Sequence, residues 1–163
     1  MRRLLNGAVS EIPAQLLREM IEHAVHEAPR ESCGLVIGSA LPHTGGVPLR
    51  YIPLLNVAHG VDRFEMDPTE LLRASGAADE AGEAIWAIVH AHPEGPPIPS
   101  VSDRAGAHHP DSLHLIVGRT PEGGHEIRAW QLPDGSIDGS PAGAPREVPI
   151  TERLPAPSRQ REE

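Results

Sequence analysis

Two short apolar runs constrain the fold of this chain more than any other feature of its sequence. Residues 32–38 (Ser-Cys-Gly-Leu-Val-Ile-Gly) and residues 84–89 (Ala-Ile-Trp-Ala-Ile-Val) carry no charged side chain and have the length of buried strands. Because aromatic residues are scarce, the core must be built mainly from leucine, isoleucine, valine and alanine. At 163 residues, the chain is long enough to bury such a core in a single domain.

Helices and further strands are distributed irregularly around these two runs. Apolar spacing, prolines suited to first turns and a capping pattern predict three helices, at residues 12–28, 68–81 and 100–108. Four more strands are predicted, at residues 49–57, 63–67, 112–118 and 125–132, with a turn-rich loop at 41–46. Because these elements do not follow a strict βαβ alternation, the sequence predicts an α+β fold rather than a doubly wound parallel sheet.

The composition of the chain changes after about residue 138. Five prolines lie there among small and charged residues, and the last five residues are Arg-Gln-Arg-Glu-Glu. Such a segment buries too little apolar surface to offset the entropy that it would lose on ordering. We therefore expect a domain over residues 1–138 and a flexible, proline-rich tail over residues 139–163, in which only residues 147–150 are suited to an edge strand.

Composition also excludes several classes of partner. A net charge of −9, with scattered basic residues, argues against a nucleic-acid partner. No apolar run approaches the roughly 20 residues that span a bilayer, and no sustained apolar stretch precedes Glu11, so we expect neither a membrane span nor a secretory signal.

A single cysteine, Cys33, excludes an intramolecular disulfide and favours a cytoplasmic location. The oligomeric state stays open, with a homodimer as one option.

A candidate metal site follows directly after the second apolar run. His90 and His92 lie two apart at the end of a predicted strand, so both imidazoles point to the same side and can converge on one ion. Asp103 follows a seven-residue loop that contains four prolines, and a carboxylate is a ligand that zinc accepts. Three protein ligands leave one position of a tetrahedral ion open, which is typical of catalytic rather than structural zinc.

Each part of this pattern also has a purely structural explanation. A His-x-His pair on a strand is commonly a pair of polar residues on a solvated face. Ser100 and Asp103 match a capping box at the start of a helix, with Ser100 as the N-cap. The capping and metal-binding explanations are compatible, because a helix N-terminus stabilises an ionised carboxylate and a metal ligand must be ionised.

The whole pattern, His-x-His-x7-Ser-x2-Asp, resembles the signature of the JAMM (MPN+) zinc metallopeptidases, which include the zinc deubiquitinases and their bacterial relatives. A second, independent match lies upstream, where residues 29–35 (Pro-Arg-Glu-Ser-Cys-Gly-Leu) resemble the Pro-x-Glu-x-Cys-Gly-Leu segment of the bacterial branch. Residues 56–58 and 64–68 resemble the family's connecting segments, so the likeness covers roughly residues 8–135. It implies the MPN/JAMM fold, a cytidine-deaminase-like mixed β-sheet flanked by helices in a single domain.

The resemblance implies a role for each of five residues. His90, His92 and Asp103 would bind Zn²⁺, with a water as the fourth ligand. Glu31 would act as general base toward that water and then as acid toward the leaving amine. Ser100 would donate a hydrogen bond to the oxyanion.

The bacterial branch also implies a class of substrate. It acts on a ubiquitin-fold sulfur-carrier protein with a C-terminal Gly-Gly, from which an amino acid or short extension is removed by hydrolysis. Two alternatives stay open. The first is a non-catalytic MPN scaffold, although such scaffolds generally lack the metal ligands. The second is a cysteine peptidase with Cys33 as nucleophile, although nucleophilic cysteines favour helix N-termini and Cys33 lies in an apolar strand pattern.

Overall fold

A six-stranded mixed β-sheet forms the centre of the structure, a computed structural model that describes residues 9–134 and 143–157. In chain order the elements are β1 (Ser10–Pro13), α1 (Ala14–Glu27), β2 (Cys33–Gly38), β3 (Pro48–Leu54), α2 (Pro68–Glu80), β4 (Ala84–Ala91), α3 (Val101–Ala105), β5 (Leu113–Arg119), β6 (His125–Gln131), β7 (Arg146–Val148) and β8 (Ile150–Arg153). A 3-10 turn over Pro42–Thr44 lies in the predicted loop between β2 and β3.

The strands of the sheet follow the order β3-β2-β4-β5-β6-β7. Neighbouring strands are antiparallel except for β4 and β5, which run parallel with His90 opposite Ile116. A separate two-stranded parallel ladder joins β1 to β8. This mixed sheet with three helices confirms the predicted α+β fold.

The two apolar runs form the central strands β2 and β4, and helices cover both faces of these strands. On one face, α1 packs Leu16 and Met20 against a cluster that includes Val36 and Val89. On the other face, α2 packs against a second cluster that includes Leu35, Ile37 and Ile88. Because both faces are buried, the strands are apolar along their length instead of alternating between apolar and polar residues.

The sequence predicts that the chain contains no membrane-spanning segment. In residues 9–134 and 143–157, no helix combines the length and the apolar character that crossing a membrane requires.

The strand predicted at 49–57 ends three residues early, at Leu54, and three other predicted elements differ clearly from the structure. The first helix begins at Ala14 instead of residue 12, because Ser10–Pro13 pairs as β1 with the distant strand β8. The helix predicted at 100–108 ends at Ala105, where Gly106 is its C-cap. Residues 63–67 do not form a strand and contribute only an isolated bridge between Asn56 and Met66.

The side chain of Asn56 explains why residues 63–67 are not a strand. Its Oδ1 accepts hydrogen bonds from the backbone N–H groups of Ala58 (3.0 Å) and Glu65 (3.0 Å), and its Nδ2 donates to the carbonyl of Arg63 (3.1 Å). These backbone groups would otherwise need a neighbouring strand. Residues 56–66 therefore form a loop folded around one amide side chain, which we call the Asn56 loop.

The expectation of a flexible tail does not hold for residues 146–153. The strand β7 extends the sheet beside β6, near the position expected for an edge strand, and β8 pairs with β1. Val148 belongs to the apolar cluster that α1 covers and that includes Val36 and Val89, which we call the main apolar cluster. Ile150 packs against this cluster. The predicted boundary at residue 138 lies outside the described residues.

Candidate metal centre

The two histidines lie at the carboxyl end of β4. His90 is part of the strand, and His92 follows directly after it. The backbone pairing continues to this point, because the N–H of Ala91 donates to the carbonyl of Ser32 (3.1 Å) and the N–H of His92 donates to the carbonyl of Val117 (2.7 Å). With an extended backbone, both imidazoles are held on the face of the sheet that also carries Ile88.

The proline-rich loop of residues 93–99 is anchored on β5 and β6. The indole Nε1 of Trp130 donates to the carbonyl of Pro97 (2.9 Å), and the N–H of Arg119 donates to the carbonyl of Gly95 (2.8 Å). Gly118 lets the loop approach closely, because a Cβ at this position would lie 2.3 Å from the nitrogen of Pro97. The loop is therefore fixed before it reaches α3.

The capping box predicted for α3 is present. The backbone N–H of Asp103 donates to Ser100 Oγ (3.1 Å), and the backbone N–H of Ser100 donates to Asp103 Oδ2 (2.8 Å). These two bonds orient the Asp103 carboxylate toward the end of β4. A short helix thus supplies the third side chain of the site.

Three potential ligand atoms converge at this point. His92 Nε2 lies 3.2 Å from His90 Nε2 and 3.1 Å from Asp103 Oδ2, and His90 Nε2 lies 3.2 Å from Asp103 Oδ2. Two imidazole nitrogens and one carboxylate oxygen at the corners of a nearly equilateral triangle are compatible with a metal site.

The two histidine rings are oriented by different contacts. His92 Nδ1 donates to the carbonyl of Pro96 (2.9 Å), which directs Nε2 toward the triangle. His90 Nδ1 is buried and has no hydrogen-bond partner within the described residues. The His90 ring instead stacks on Phe64, with ring centroids 4.5 Å apart and an interplanar angle of 20°.

The charge on Asp103 is set by its neighbours. Burial alone would raise the pKa of this carboxyl group, but hydrogen bonds with His90 and His92 outweigh burial and hold the pKa well below its usual range. The carboxylate is therefore ionised at neutral pH, as a metal ligand must be.

Glu31 lies just before β2 and is only 6% exposed. Its carbonyl accepts a hydrogen bond from Asn56 Nδ2 (2.9 Å), which ties it to the Asn56 loop. One carboxylate oxygen, Oε2, has no hydrogen-bond partner within the described residues. Burial raises the pKa of Glu31 to about 7, against an opposing effect of the charge on His92.

An open cleft of about 610 Å³ joins several of these residues. Glu31, His92 and Ser100 line it together with Asp62 from the Asn56 loop. Ser100 Oγ also lies 3.0 Å from Ser102 Oγ. The structure thus brings all five residues singled out from the sequence to one place, three in the triangle and two on the wall of the adjoining cleft.

Cys33 lies outside this arrangement. It is fully buried in β2, its thiol donates weakly to the carbonyl of Leu54 (3.7 Å), and it does not line the cleft. Burial raises the pKa of the Cys33 thiol to about 12. A thiol that is neither ionised nor accessible cannot serve as a nucleophile.

Two residues of the site were missed by sequence reasoning. Phe64 lies in a segment that resembles a family connecting segment, but nothing in the sequence indicates that its ring covers His90. Asp62 carries no sequence signal, because its place in the cleft depends on the fold of the Asn56 loop.

The sequence of this chain also matches known proteins. Residues 13–133 match the family described as prokaryotic homologs of the JAB domain. The chain is 30% identical over 130 residues to a protein of Mycobacterium tuberculosis named CysO-cysteine peptidase, with coverage of 80% of this chain and 87% of that protein. It is 34% identical over 134 residues to a Thermus thermophilus protein named probable TtuB-protein conjugate cleaving protease, with 80% of each covered.

The fold is also found among solved structures. The solution structure of a protein from Desulfitobacterium hafniense superposes with a TM-score of 0.71 and covers 96% of this chain and 100% of that one, at 24% identity. Together with the family match over most of the chain, this likeness confirms the resemblance that the two sequence motifs indicated. The chain belongs to the prokaryotic JAB-domain family.

Proposed function

We propose that this protein is a zinc-dependent peptidase that hydrolyses the bond after the C-terminal Gly-Gly of a ubiquitin-like sulfur-carrier protein. The observation that carries the proposal is the convergence of His90, His92 and Asp103 beside a cleft that Glu31 and Ser100 line. A non-catalytic scaffold would have no use for a complete set of ligand atoms and a buried carboxyl group next to them.

The donor set and its dimensions fit Zn²⁺. Zinc bonds of about 2.0–2.1 Å in tetrahedral geometry place neighbouring ligand atoms roughly 3.3 Å apart, close to the 3.1 and 3.2 Å separations within the triangle. His90, His92 and Asp103 would hold the ion by Nε2, Nε2 and Oδ2. When bound there, zinc would supply a Lewis acid that polarises a carbonyl group and lowers the pKa of a bound water to about 7.

Glu31 is suited to move the proton. Its pKa of about 7 lets the carboxylate accept a proton from the attacking water at neutral pH and release it again. The water oxygen bonds to the glycine carbonyl carbon, its proton goes to Glu31, and the C–N bond breaks as Glu31 protonates the leaving nitrogen. The products are a carrier that ends in a Gly-Gly carboxylate and a free amine.

Ser100 is suited to stabilise the charge that develops on the carbonyl oxygen. Its Oγ accepts the capping bond from the N–H of Asp103, so the hydroxyl proton can be donated into the cleft when Ser102 Oγ is the donor in the 3.0 Å contact between the two hydroxyl groups. An oxyanion donor of this kind typically contributes about a hundredfold or more to turnover.

The class of substrate is supported by the relatives. Their names, CysO-cysteine peptidase and probable TtuB-protein conjugate cleaving protease, describe cleavage of CysO-cysteine and of TtuB-protein conjugates. The resemblance to the bacterial branch implies a ubiquitin-fold sulfur carrier as the substrate in this class of enzyme. A diglycine tail fits physically, because an extended chain without side chains can enter a narrow space beside the metal.

The test uses ubiquitin-fold carriers whose C-terminal Gly-Gly is extended by one or more residues, followed by intact-mass measurement. We expect zinc-loaded protein to shorten such a carrier to Gly-Gly, and the Glu31→Gln variant to bind zinc but cleave at least about a hundredfold more slowly. The matched control is Glu22→Gln, at an exposed position of α1, which should cleave normally. Failure of zinc-loaded, folded protein to cleave any carrier in the panel, or full activity of Glu31→Gln, would contradict the proposal.

A further inference from the structure

We propose that a second cavity, on the other side of the metal ligands, selects the residue that is released by binding a side chain that ends in a hydrogen-bond donor such as a thiol or hydroxyl. This inference rests on the proposed function, because it concerns the residue that follows Gly-Gly in the substrate. Its determinant is His114 of β5.

The cavity has a volume of about 390 Å³ and reaches the metal centre directly. His90 and Asp103 form part of its lining, and Ser102 lines both this cavity and the cleft of Glu31. Its floor is the sheet face that carries Ile88 and His114, which lie opposite each other on β4 and β5. The volume is sufficient for an amino-acid side chain together with water.

The remaining lining combines polar or charged residues, Arg63, Glu65, His108 and His109, with an apolar group of side chains. Phe64 and Met66 of the Asn56 loop, Leu71 of α2 and Ile88 of β4 all contribute to it. These apolar side chains suit the body of a bound side chain, whose polar end must then meet a polar atom of the lining.

One polar atom on the floor has no partner. His114 is 5% exposed, and its Nε2 makes no hydrogen bond within the described residues. The ring forms a hydrogen bond with the backbone of His109, and burial lowers the pKa of His114 to about 3, so the imidazole is neutral. With one nitrogen donating to a carbonyl group, the other is an acceptor, and a buried acceptor without a donor is costly. A ligand that brings a donor removes this cost.

The position of the cavity indicates which residue fills it. Neither glycine before the scissile bond has a side chain, so the diglycine side of the substrate cannot occupy a space of this size. The cavity adjoins His90 and Asp103, and the side chain nearest to the scissile bond is that of the residue released.

The test compares pairs of substrates that differ only in the donor. Carriers ending in Gly-Gly-X are prepared with serine and alanine, threonine and valine, and cysteine and α-aminobutyrate as X, and kcat/KM is measured by intact mass. We expect the donor-bearing member of each pair to be cleaved at least about tenfold faster by the wild-type protein.

Variants then assign the preference to His114. His114→Leu removes the acceptor and should bring the members of each pair within about twofold of each other. His114→Gln keeps an acceptor and should retain part of the preference. His26→Leu, at an exposed position of α1, is the control for loss of an imidazole elsewhere and should leave every ratio unchanged.

The outcomes separate this inference from the function on which it rests. Equal rates within all pairs in the wild-type protein would overturn the inference and leave the peptidase function standing, and this comparison needs no folded variant. A donor preference that persists in His114→Leu would overturn the assignment to His114. Absence of cleavage for every Gly-Gly-X carrier by zinc-loaded protein would overturn both proposals.

Discussion

At the scale of the residue, the two histidines of the metal centre differ in how they are oriented. A metal-binding histidine usually donates its second N–H to an acceptor that fixes the ring. His92 follows this rule through the carbonyl of Pro96, whereas His90 Nδ1 has no partner within the described residues. Phe64 stacks on His90 and restricts its rotation, so it is the positioning residue for this ligand.

This difference leads to a prediction for zinc affinity. Phe64→Leu removes the stacked ring and should weaken zinc binding by about tenfold, the lower end of the effect of losing a supporting contact. Phe64→Tyr keeps the ring and should bind zinc as the wild type does. Competition with a chromophoric chelator measures both variants, and an unchanged affinity in Phe64→Leu would show that packing does not orient His90.

Glu31 leads to a prediction for the pH dependence of stability in the metal-free protein. Its folded pKa of about 7 lies above the ordinary value of 4.5, so the folded state binds the extra proton between these values. Stability therefore decreases as pH rises from 4.5 to 7 and then levels off. Glu31→Gln has no carboxyl group to titrate and lacks this effect. Between pH 4.5 and 7, its free energy of unfolding should therefore rise relative to that of the wild type by up to about 3 kcal/mol, since one pKa unit corresponds to about 1.4 kcal/mol.

Denaturant unfolding at a series of pH values checks this difference. If the wild type and Glu31→Gln show parallel stability curves between pH 4.5 and 7, the Glu31 carboxyl group is not perturbed by burial.

At the scale of the element, α3 combines a structural and a chemical role in one residue. Ser100 caps the helix and also lines the cleft of Glu31. The capping box was predictable, because it depends only on residues three apart. The contact of Phe64 with His90 was not predictable, because it depends on how the Asn56 loop folds over the end of a distant strand.

Two substitutions at Ser100 separate these roles. Glycine at an N-cap costs only a few tenths of a kcal/mol, whereas alanine costs about 1 kcal/mol. We expect Ser100→Gly to keep nearly normal stability and Ser100→Ala to be destabilised. Both variants should lose activity by about a hundredfold, because both lack the hydroxyl donor. Thermal unfolding and kcat measure the two effects, and normal turnover in Ser100→Gly would remove Ser100 from the mechanism.

At the scale of the whole molecule, the central strands β2 and β4 were predictable from the sequence, whereas the strands β1 and β8 were not. β2 and β4 are apolar along their length because α1 and α2 cover their two faces, and such runs are visible in the sequence. β1 and β8 are short strands that pair across nearly the whole chain, and neither shows a local pattern. The five site residues were recognisable from motif spacing, although only the fold brings Glu31 to the cleft.

The packing of β7 leads to a prediction for global stability. Val148 is 3% exposed within the main apolar cluster, and an aspartate there would bury an unpaired carboxylate. We expect Val148→Asp to lower the free energy of unfolding by about 3 kcal/mol or more. Leu154→Asp is the control, because Leu154 is 72% exposed, and it should change stability by less than about 0.5 kcal/mol. Equal, small effects would mean that residues 146–153 do not stabilise the domain.

We expect one zinc ion at His90, His92 and Asp103 to make this protein a peptidase, and a zinc titration tests this claim. Metal-free protein is mixed with increasing zinc, and the rate at which a Gly-Gly-extended carrier is shortened is followed by intact mass. We predict no cleavage without zinc, a rate that rises in proportion to the zinc added, and a plateau at one ion per chain. Cleavage that is independent of zinc, or zinc binding at full occupancy without cleavage of any carrier, would contradict the claim.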